Sequence, residues 1–295
     1  MGAVMKNAID LIIEARAKDI GVPVKRILPW AKRRMVGPFI FLDQMGPALM
    51  HAPGDHMDVR PHPHIGLSTL TYLFEGKILH RDSLGSVQMI EPGAVNWMTA
   101  GRGISHSERE PQEVRGIDRT IHGLQFWVAL PKEHEDVAPS FTHYPKEDIP
   151  EIDEGHHRVN VVAGTFKSST SKLRAYSPMI FAVVTAKAEG IFRHSQIGHE
   201  HAVYVVKGSV TVDGTLYRQS QMIVFKDDAE IELTHSEDAL FALIGGEAFP
   251  EPRFIWWNLV SSSKEKIEEA KRSWSDGSFP GVPDDPERIP LPTDY

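Results

Sequence analysis

Two short pairs of metal-ligating side chains constrain this chain more than any other feature. His62 and His64 are separated by one residue, and so are His106 and Glu108. On a β-strand, alternate residues point to the same face, so each pair would present two ligands on one side of its strand. Two such strands facing each other would bring three imidazoles and one carboxylate to a single point. We therefore predict a site for a divalent metal ion built on β-strands.

The donor atoms narrow the choice of metal. The predicted ligands offer nitrogen and oxygen, and the chain contains no cysteine that could offer a thiolate. This donor set favours Fe(II), with Mn, Ni, Cu and Zn as alternatives. On an octahedral ion, four protein ligands would leave positions open for a substrate or for O2.

Short apolar runs alternate with turn signals around these pairs. The turn signals are Pro53 to Asp55, Asp82 to Gly85 and Glu91 to Gly93. Such frequent turns between short apolar runs are typical of an antiparallel β-barrel or sandwich. Pro61 and Pro63 lack backbone donors on one side of their strand, so we expect that side to be an edge or to pair irregularly.

Other features near the two pairs have ordinary explanations. His51, His56 and His80 are close to the pairs in sequence. A lone histidine on a strand is more often at the surface than in a functional site, and we expect this of all three. The stretch from Asp82 to Gly85 indicates a hairpin turn rather than a catalytic unit.

The residues around both pairs resemble the pirin family of the cupin superfamily. The spacing from His62 and His64 to Gly76 resembles the first cupin motif, with Thr69 where cupins usually have Glu. The stretch 97–108 resembles the second cupin motif in its pirin form. The likeness covers nearly the whole chain and is most specific in residues 38–130. Further stretches that carry it are Phe41 to Asp43, Arg81 to Gly85 and His122 to Gln125.

The resemblance implies a fold, a metal and two alternative roles. The fold is an all-β bicupin of two antiparallel β-barrel (double-stranded β-helix) domains. The metal is a single iron in the N-terminal domain. The first role is a flavonol (quercetin) 2,3-dioxygenase, whose partners would be a flavonol-like substrate and O2. The second is a non-enzymatic iron-binding redox sensor or regulator that acts through a protein partner. The implied metal ligands are His62, His64, His106 and Glu108.

In the dioxygenase role, Glu108 is the predicted ligand that could also take part in proton transfer. Fe(II) with three neutral imidazoles and one carboxylate carries a net charge of about +1, which favours an anionic ligand such as a deprotonated flavonol. Glu108 is the one predicted ligand that could also accept a proton. We therefore take it as the candidate catalytic base that ionises the 3-hydroxyl group.

The sequence divides into two predicted domains. Residues 1–135 form the N-terminal cupin domain with the metal site, 136–155 a linker, and 156–295 the C-terminal cupin domain. The linker is polar and acidic and contains several prolines. A short C-terminal helix is predicted from Ser261 to Trp274, with Ser263 as N-cap, Gly277 after its end and a proline-rich tail beyond.

An internal repeat suggests a second, degenerate site. The spacing from Thr69 to Gly76 is repeated from His201 to Gly208. Gln196 then stands where the first domain has His64, and amide groups are poor ligands. We therefore predict a decayed site that binds no metal. The residues that could have formed it are His194, His201, His235 and Glu237.

Composition excludes several classes of function. The 295 residues carry a formal net charge of −8, and their lysines and arginines are scattered. Nucleic-acid binding needs a basic patch, so direct binding is not expected. No apolar run approaches the length of a membrane span. We expect a cytoplasmic protein.

Overall fold

Antiparallel strands make up most of the fold, as predicted. The computed structural model describes residues 8–20 and 23–293. The first strands are β1 (Ile9–Glu14), β2 (Arg16–Asp19), β3 (Pro23–Leu28), β4 (Phe39–Met50), β5 (Val59–His64), β6 (Leu67–Glu75), β7 (Ile78–Asp82), β8 (Val87–Ile90), β9 (Val95–Thr99), β10 (Ile104–Arg109), β11 (Arg119–Ala129), β12 (Ser140–Tyr144) and β13 (Glu151–Asp153). They are followed by β14 (His157–Ala163), β15 (Thr165–Phe166), β16 (Ser169–Thr170), β17 (Met179–Ala186), β18 (Gly190–His194), β19 (Glu200–Lys207), β20 (Ser209–Val212), β21 (Thr215–Arg218), β22 (Gln221–Phe225), β23 (Ile231–His235), β24 (Leu240–Gly246), β25 (Phe254–Trp256) and β26 (Leu259–Ser261).

Helical structure in the described residues is limited to one α-helix and short 3₁₀ turns. The α-helix is α1 (Lys264–Asp276), and the 3₁₀ turns are Gln112–Val114, Lys132–His134 and Lys146–Asp148. As predicted, the Ser263 hydroxyl caps α1 by accepting a hydrogen bond from the Lys266 amide at 3.3 Å. Gly277 ends the helix with φ of +82°, a left-handed conformation that glycine adopts without strain. Within these same residues, no helix is long and apolar enough to cross a membrane.

Contacts divide the described chain into two compact units. The first unit contains residues 41–146 and 249–293, with short pieces at 17–20 and 23–24. The second contains residues 8–16, 25–40 and 147–248. The division therefore differs from the predicted domains at both ends of the chain, since β1 belongs to the second unit and α1 to the first. The physical reason for the placement of α1 is its apolar face, where Ile267 and Trp274 pack into one core with Ile65, the residue after His64.

Each unit contains one large, one small and one two-stranded antiparallel sheet. In the first unit the small sheet has the order β5-β10-β7-β8, and the large sheet includes the neighbouring strands β12-β9-β6-β11-β4. The second unit repeats this pattern with sheets in the order β18-β23-β20-β21 and β1-β22-β19-β24-β17-β14-β13. An apolar core that includes Phe192 and Phe241 fills the second unit. The predicted all-β bicupin fold is confirmed.

The predicted linker is not an unstructured connection. Residues 136–155 contain β12, which pairs with β9 in the first unit, and β13, which pairs with β14 in the second. The contact division changes between residues 146 and 147, inside this stretch.

Strand β5 lies at the edge of its sheet, as its two prolines predict. The carbonyl of Pro61 accepts a hydrogen bond from the amide of Ile289 at 2.9 Å, and that of Ile65 accepts one from Val260 at 3.3 Å. The C-terminal residues of the first unit thus supply backbone donors to this edge. The residues that bond to the outer edge of β5 therefore lie near the C-terminal end of the sequence, far from β5 along the chain.

Candidate metal centre

The register of β5 and β10 brings the two ligand pairs together. The strands are antiparallel, with His106 opposite His62 and Ile104 opposite His64. His62, His64 and His106 are buried, with 6%, 0% and 1% of their surface exposed. One ring nitrogen of each lies within 4.8 Å of the others. The structure therefore gathers three of the four predicted ligands into one compact group.

Hydrogen bonds fix which nitrogen of His62 and His64 can bind a metal. The Nδ1 of His62 donates to the carbonyl of Arg60, and the Nδ1 of His64 donates to the carbonyl of Asn258, both at 2.8 Å. A carbonyl oxygen can only accept, so each Nδ1 must carry the proton. In a neutral ring, Nε2 then has a free lone pair, as a metal ligand requires.

His80, a histidine outside the predicted ligands, holds His106 in the same tautomer. The Nε2 of His80 lies 3.0 Å from Asp82 Oδ2, so His80 donates from Nε2 and its Nδ1 carries a lone pair. The Nδ1 of His106 lies 3.4 Å from that Nδ1 and must be the donor between the two rings. The network therefore assigns a lone pair to Nε2 of His106.

This assignment leaves two lone pairs facing each other. His64 Nε2 and His106 Nε2 are 3.1 Å apart, and neither carries a proton in these tautomers. Two buried acceptors at this distance need a cation or a shared donor between them. Two nitrogens that each lie roughly 2.1 Å from one ion, at a right angle, would be roughly 3.0 Å apart. The residues present therefore fit a bound metal ion.

Burial keeps the three rings in the form that binds metal. It lowers the pKa of His62 from 6.5 to about 4, and it lowers the pKa values of His64 and His106 well below 6.5. The rings are therefore neutral at pH 7. Metal binding then does not have to displace protons from them, which it would have to do at a site of protonated histidines.

Glu108 lies beside this group but is not part of it. It follows His106 by two residues on β10, so it points to the same face, and it lies opposite His80 on β7. The described group of ligand atoms comprises only the three histidines. Oε1 of Glu108 is instead 3.0 Å from the hydroxyl of Thr71. Burial raises the pKa of Glu108 above its usual value, and its role as fourth ligand stays a prediction.

Comparison with known proteins assigns the family. The model of the pirin family matches residues 21–128, and that of the pirin C-terminal cupin domain matches residues 181–280. A pirin-like protein of Caulobacter vibrioides is 46% identical, over 96% of this chain and 99% of its own. The chain belongs to the pirin family.

Two further relatives of this pirin carry the name of an enzyme. A protein of Pseudomonas aeruginosa provisionally named quercetin 2,3-dioxygenase is 37% identical, over 90% of this chain and 83% of its own. The crystal structure of a quercetin 2,3-dioxygenase from Acinetobacter baumannii superposes with a TM-score of 0.91 at 33% identity. That match covers 99% of this chain and 98% of the other.

His80 is a further candidate residue of the site, and the sequence does not identify it as one. It was expected at the surface, but it is only 3% exposed and contacts His106. The sequence does contain a pattern that points to His80, because His80 and Asp82 are separated by one residue, as the two pairs of predicted ligands are. Asp82 also forms the predicted turn, since its Oδ1 accepts hydrogen bonds from the amides of Leu84 and Ser86 at 2.9 and 3.1 Å.

The second unit does not gather the residues named for a second site. His194 lies opposite Ile231, whereas His235 lies opposite Gly190 at the other end of the same strand pair. His194 and His201 do meet, with their Nε2 atoms 3.2 Å apart, which one ring can satisfy by donating to the other. Glu237 is in an exposed turn. The described residues of this unit provide no group of three ligands, and the absence of metal there stays a prediction.

Proposed function

We propose that this pirin is a metal-dependent dioxygenase that cleaves flavonols such as quercetin with O2 and uses Fe(II). The observation that carries the proposal is the 3.1 Å contact between the Nε2 lone pairs of His64 and His106, which only a cation or a shared donor can satisfy. The similarity to proteins named as quercetin 2,3-dioxygenases supports the reaction class.

His62, His64 and His106 would hold the metal, with Glu108 as the proposed fourth ligand. Bound Fe(II) would supply the redox chemistry that lets O2 react with a flavonol. The three imidazoles are neutral and Glu108 contributes one negative charge, so a divalent ion keeps a net charge of about +1. Such a centre attracts an anionic oxygen ligand.

An aromatic wall stands next to the histidines. Trp127 meets the ring of His64 edge-on, with 5.2 Å between ring centroids, and stacks on Phe41 at 3.9 Å. Both Trp127 and Phe41 are buried. These buried aromatic side chains exclude water and strengthen the electrostatic interactions beside the histidines.

Glu108 is the proposed general base. A flavonol must lose the proton of its 3-hydroxyl group to become an anionic ligand. Burial raises the pKa of Glu108, and a carboxylate with a raised pKa accepts a proton more readily than an exposed one. One flavonol and one O2 would yield CO and a carboxylic acid, so the proton taken up by Glu108 returns to the product.

The test is turnover by protein loaded with Fe(II) under anaerobic conditions. Quercetin and O2 are added, and quercetin absorbance, O2 and CO are followed. Glu108→Gln keeps the shape of the side chain but removes its charge, and should lower turnover by roughly 10²–10⁴-fold. The loss should shrink as the pH rises, because more flavonol then ionises in solution. Glu113→Gln, whose side chain is 62% exposed, serves as the matched control.

Two outcomes would contradict the proposal in different ways. If Glu108→Gln turns over quercetin at the wild-type rate with full metal content, Glu108 is not the base. If the wild-type protein with full Fe(II) consumes no O2 with any flavonol, the iron-binding regulator that acts through a protein partner becomes the better explanation.

A further inference from the structure

A row of polar side chains crosses the large sheet of the first unit opposite the metal ligands. Thr71 on β6 is paired with Asn96 on β9 and with Gln125 on β11, and Asn96 is paired in turn with His143 on β12. Residues directly opposite each other on neighbouring strands point to the same face. Thr71 and Asn96 are 3% and 4% exposed. The row is therefore largely buried, and Thr71 stands near its centre.

Thr71 links this row to Glu108. Its hydroxyl oxygen lies 3.0 Å from Oε1 of Glu108 and 2.8 Å from the amide oxygen Oε1 of Gln125. A hydroxyl has a single proton and can donate to only one of them. A carboxylate oxygen can only accept, whereas the amide of Gln125 can turn to present its NH2 group. With the amide of Gln125 turned in this way, its Nε2 donates to Thr71, and Thr71 donates to Glu108.

The contact completes a pattern among the predicted ligands. His62, His64 and His106 are each fixed by a hydrogen bond on the nitrogen that faces away from the metal position. Glu108 has the most flexible side chain of the four and needs a comparable restraint. Thr71 is β-branched and buried, so its own rotamer is restricted.

We infer that Thr71 is a positioning residue for Glu108. Its hydroxyl, held by Gln125, engages one carboxylate oxygen and leaves the other for the metal. This inference rests on the proposed role of Glu108 as fourth ligand. It adds Thr71 and Gln125 to the residues that determine the properties of the centre.

The test uses Co(II) as a spectroscopic probe of the metal site. Thr71→Val removes the hydroxyl at nearly constant volume, and Thr71→Ser keeps it. Thr71→Val should lower Co(II) affinity, measured by competition with a chelator, by roughly 10–100-fold and should change the visible spectrum. Thr71→Ser should retain the wild-type spectrum and affinity. Gln125→Leu, which removes the donor to Thr71, should change the spectrum in the same direction as Thr71→Val.

Thr99→Val is the matched control for loss of a buried hydroxyl. Thr99 lies on β9 in the same sheet and is 1% exposed. Its hydroxyl is bonded to that of Ser68 at 2.9 Å and not to any predicted ligand. This variant should leave the Co(II) spectrum and affinity unchanged, so any change in it would measure general loosening of the sheet.

A double-mutant cycle separates positioning from packing. In a Glu108→Ala background, Thr71→Val should have no further effect, because the group on which Thr71 acts is gone. The inference is overturned if Thr71→Val keeps the wild-type spectrum and Co(II) affinity. It is also overturned if Thr71→Ser lowers Co(II) affinity as much as Thr71→Val does, or if Thr71→Val has the same effect with and without Glu108→Ala. His106→Ala reports on the centre itself. If it too leaves Co(II) affinity intact, the proposed metal site fails, and not only the role of Thr71.

Discussion

His80 Nδ1 lies 3.4 Å from His106 Nδ1, while Nε2 of the same His80 ring lies 3.0 Å from Asp82. A predicted metal ligand is thus connected to a buried carboxylate through a second imidazole. Burial would raise the pKa of Asp82, but the hydrogen bonds from His80 and Ser86 together lower it, so Asp82 stays ionised. An ionised Asp82 holds the proton of His80 on Nε2 and, through it, fixes the tautomer of His106.

Replacing His80 should weaken metal binding without touching a predicted ligand. His80→Phe preserves ring size and the stacking on Phe141, whose centroid lies 4.3 Å away, but it removes the acceptor for His106. Metal affinity should fall by roughly 10–100-fold, as is typical when the partner of a ligating histidine is lost. Competition with a chelator measures the metal affinity of each variant. His51→Phe is the control, because the His51 side chain is 65% exposed. Unchanged affinity in His80→Phe would mean that His106 needs no such partner.

Metal stoichiometry should depend on the first unit alone. The purified protein should bind about one equivalent of metal through nitrogen and oxygen donors. His62→Ala and His106→Ala should each lower the content sharply, and full content in the double variant would refute the assignment. Neutral replacement of four residues in the second unit should leave the content unchanged, whereas loss of a further equivalent would reveal a second site. These four residues are His194, His201, His235 and Glu237.

The metal-free protein should lose stability as the pH falls from 6.5 to 4. Burial lowers the pKa of His62 to about 4 in the folded state, against 6.5 in the unfolded chain. Between these values the unfolded chain binds a proton at His62 that the folded chain does not. The contribution of His62 therefore lowers the free energy of unfolding as the pH falls, and this contribution changes no further below about pH 4. The contribution of His62 is at most about 3 kcal/mol. Urea unfolding across this range should show a smaller pH dependence for His62→Phe, and identical slopes would contradict the assignment.

The ion pair between Arg109 and Asp285 should stabilise the first unit. Arg109 is on β10 beside Glu108, and its Nε and Nη2 donate to Asp285 at 2.7 and 2.6 Å. Asp285→Ala should lower the free energy of unfolding by about 2 kcal/mol, because two charge-assisted hydrogen bonds are lost from a mostly buried group. Glu268→Ala breaks a more exposed pair with Lys271 on α1 and leaves the contact of Lys271 with Trp256 in place, so it should cost less than about 0.5 kcal/mol. Equal costs in the two variants would show that burial does not strengthen the Arg109 pair.

Features set by neighbouring residues could be predicted from the sequence. The spacing of His62 and His64 determines that both point to one face of β5, whatever the rest of the chain does. The cap of α1 at Ser263 and its end at Gly277 follow equally from local chemistry. The structure agrees with each of these predictions to within a few residues.

Features that depend on packing over long distances could not be predicted. The carbonyl that orients His64 belongs to Asn258, which is 194 residues away in sequence. The position of Asn258 follows from the packing of the C-terminal residues against β5. The sequence predicts that these residues belong to the second domain instead. A backbone carbonyl has no side-chain signature, so no pattern of residue types could have identified this partner.

The proline-rich edge of β5 also affects how this protein behaves toward other chains. An open strand edge with free backbone donors and acceptors is a template on which a second chain can pair. Pro61 and Pro63 have no N–H group to offer there, and the carbonyls of Pro61 and Ile65 are already bonded to Ile289 and Val260. An incoming strand would find few groups to bond at these positions. The strand that carries two of the predicted metal ligands is therefore protected from edge-to-edge aggregation.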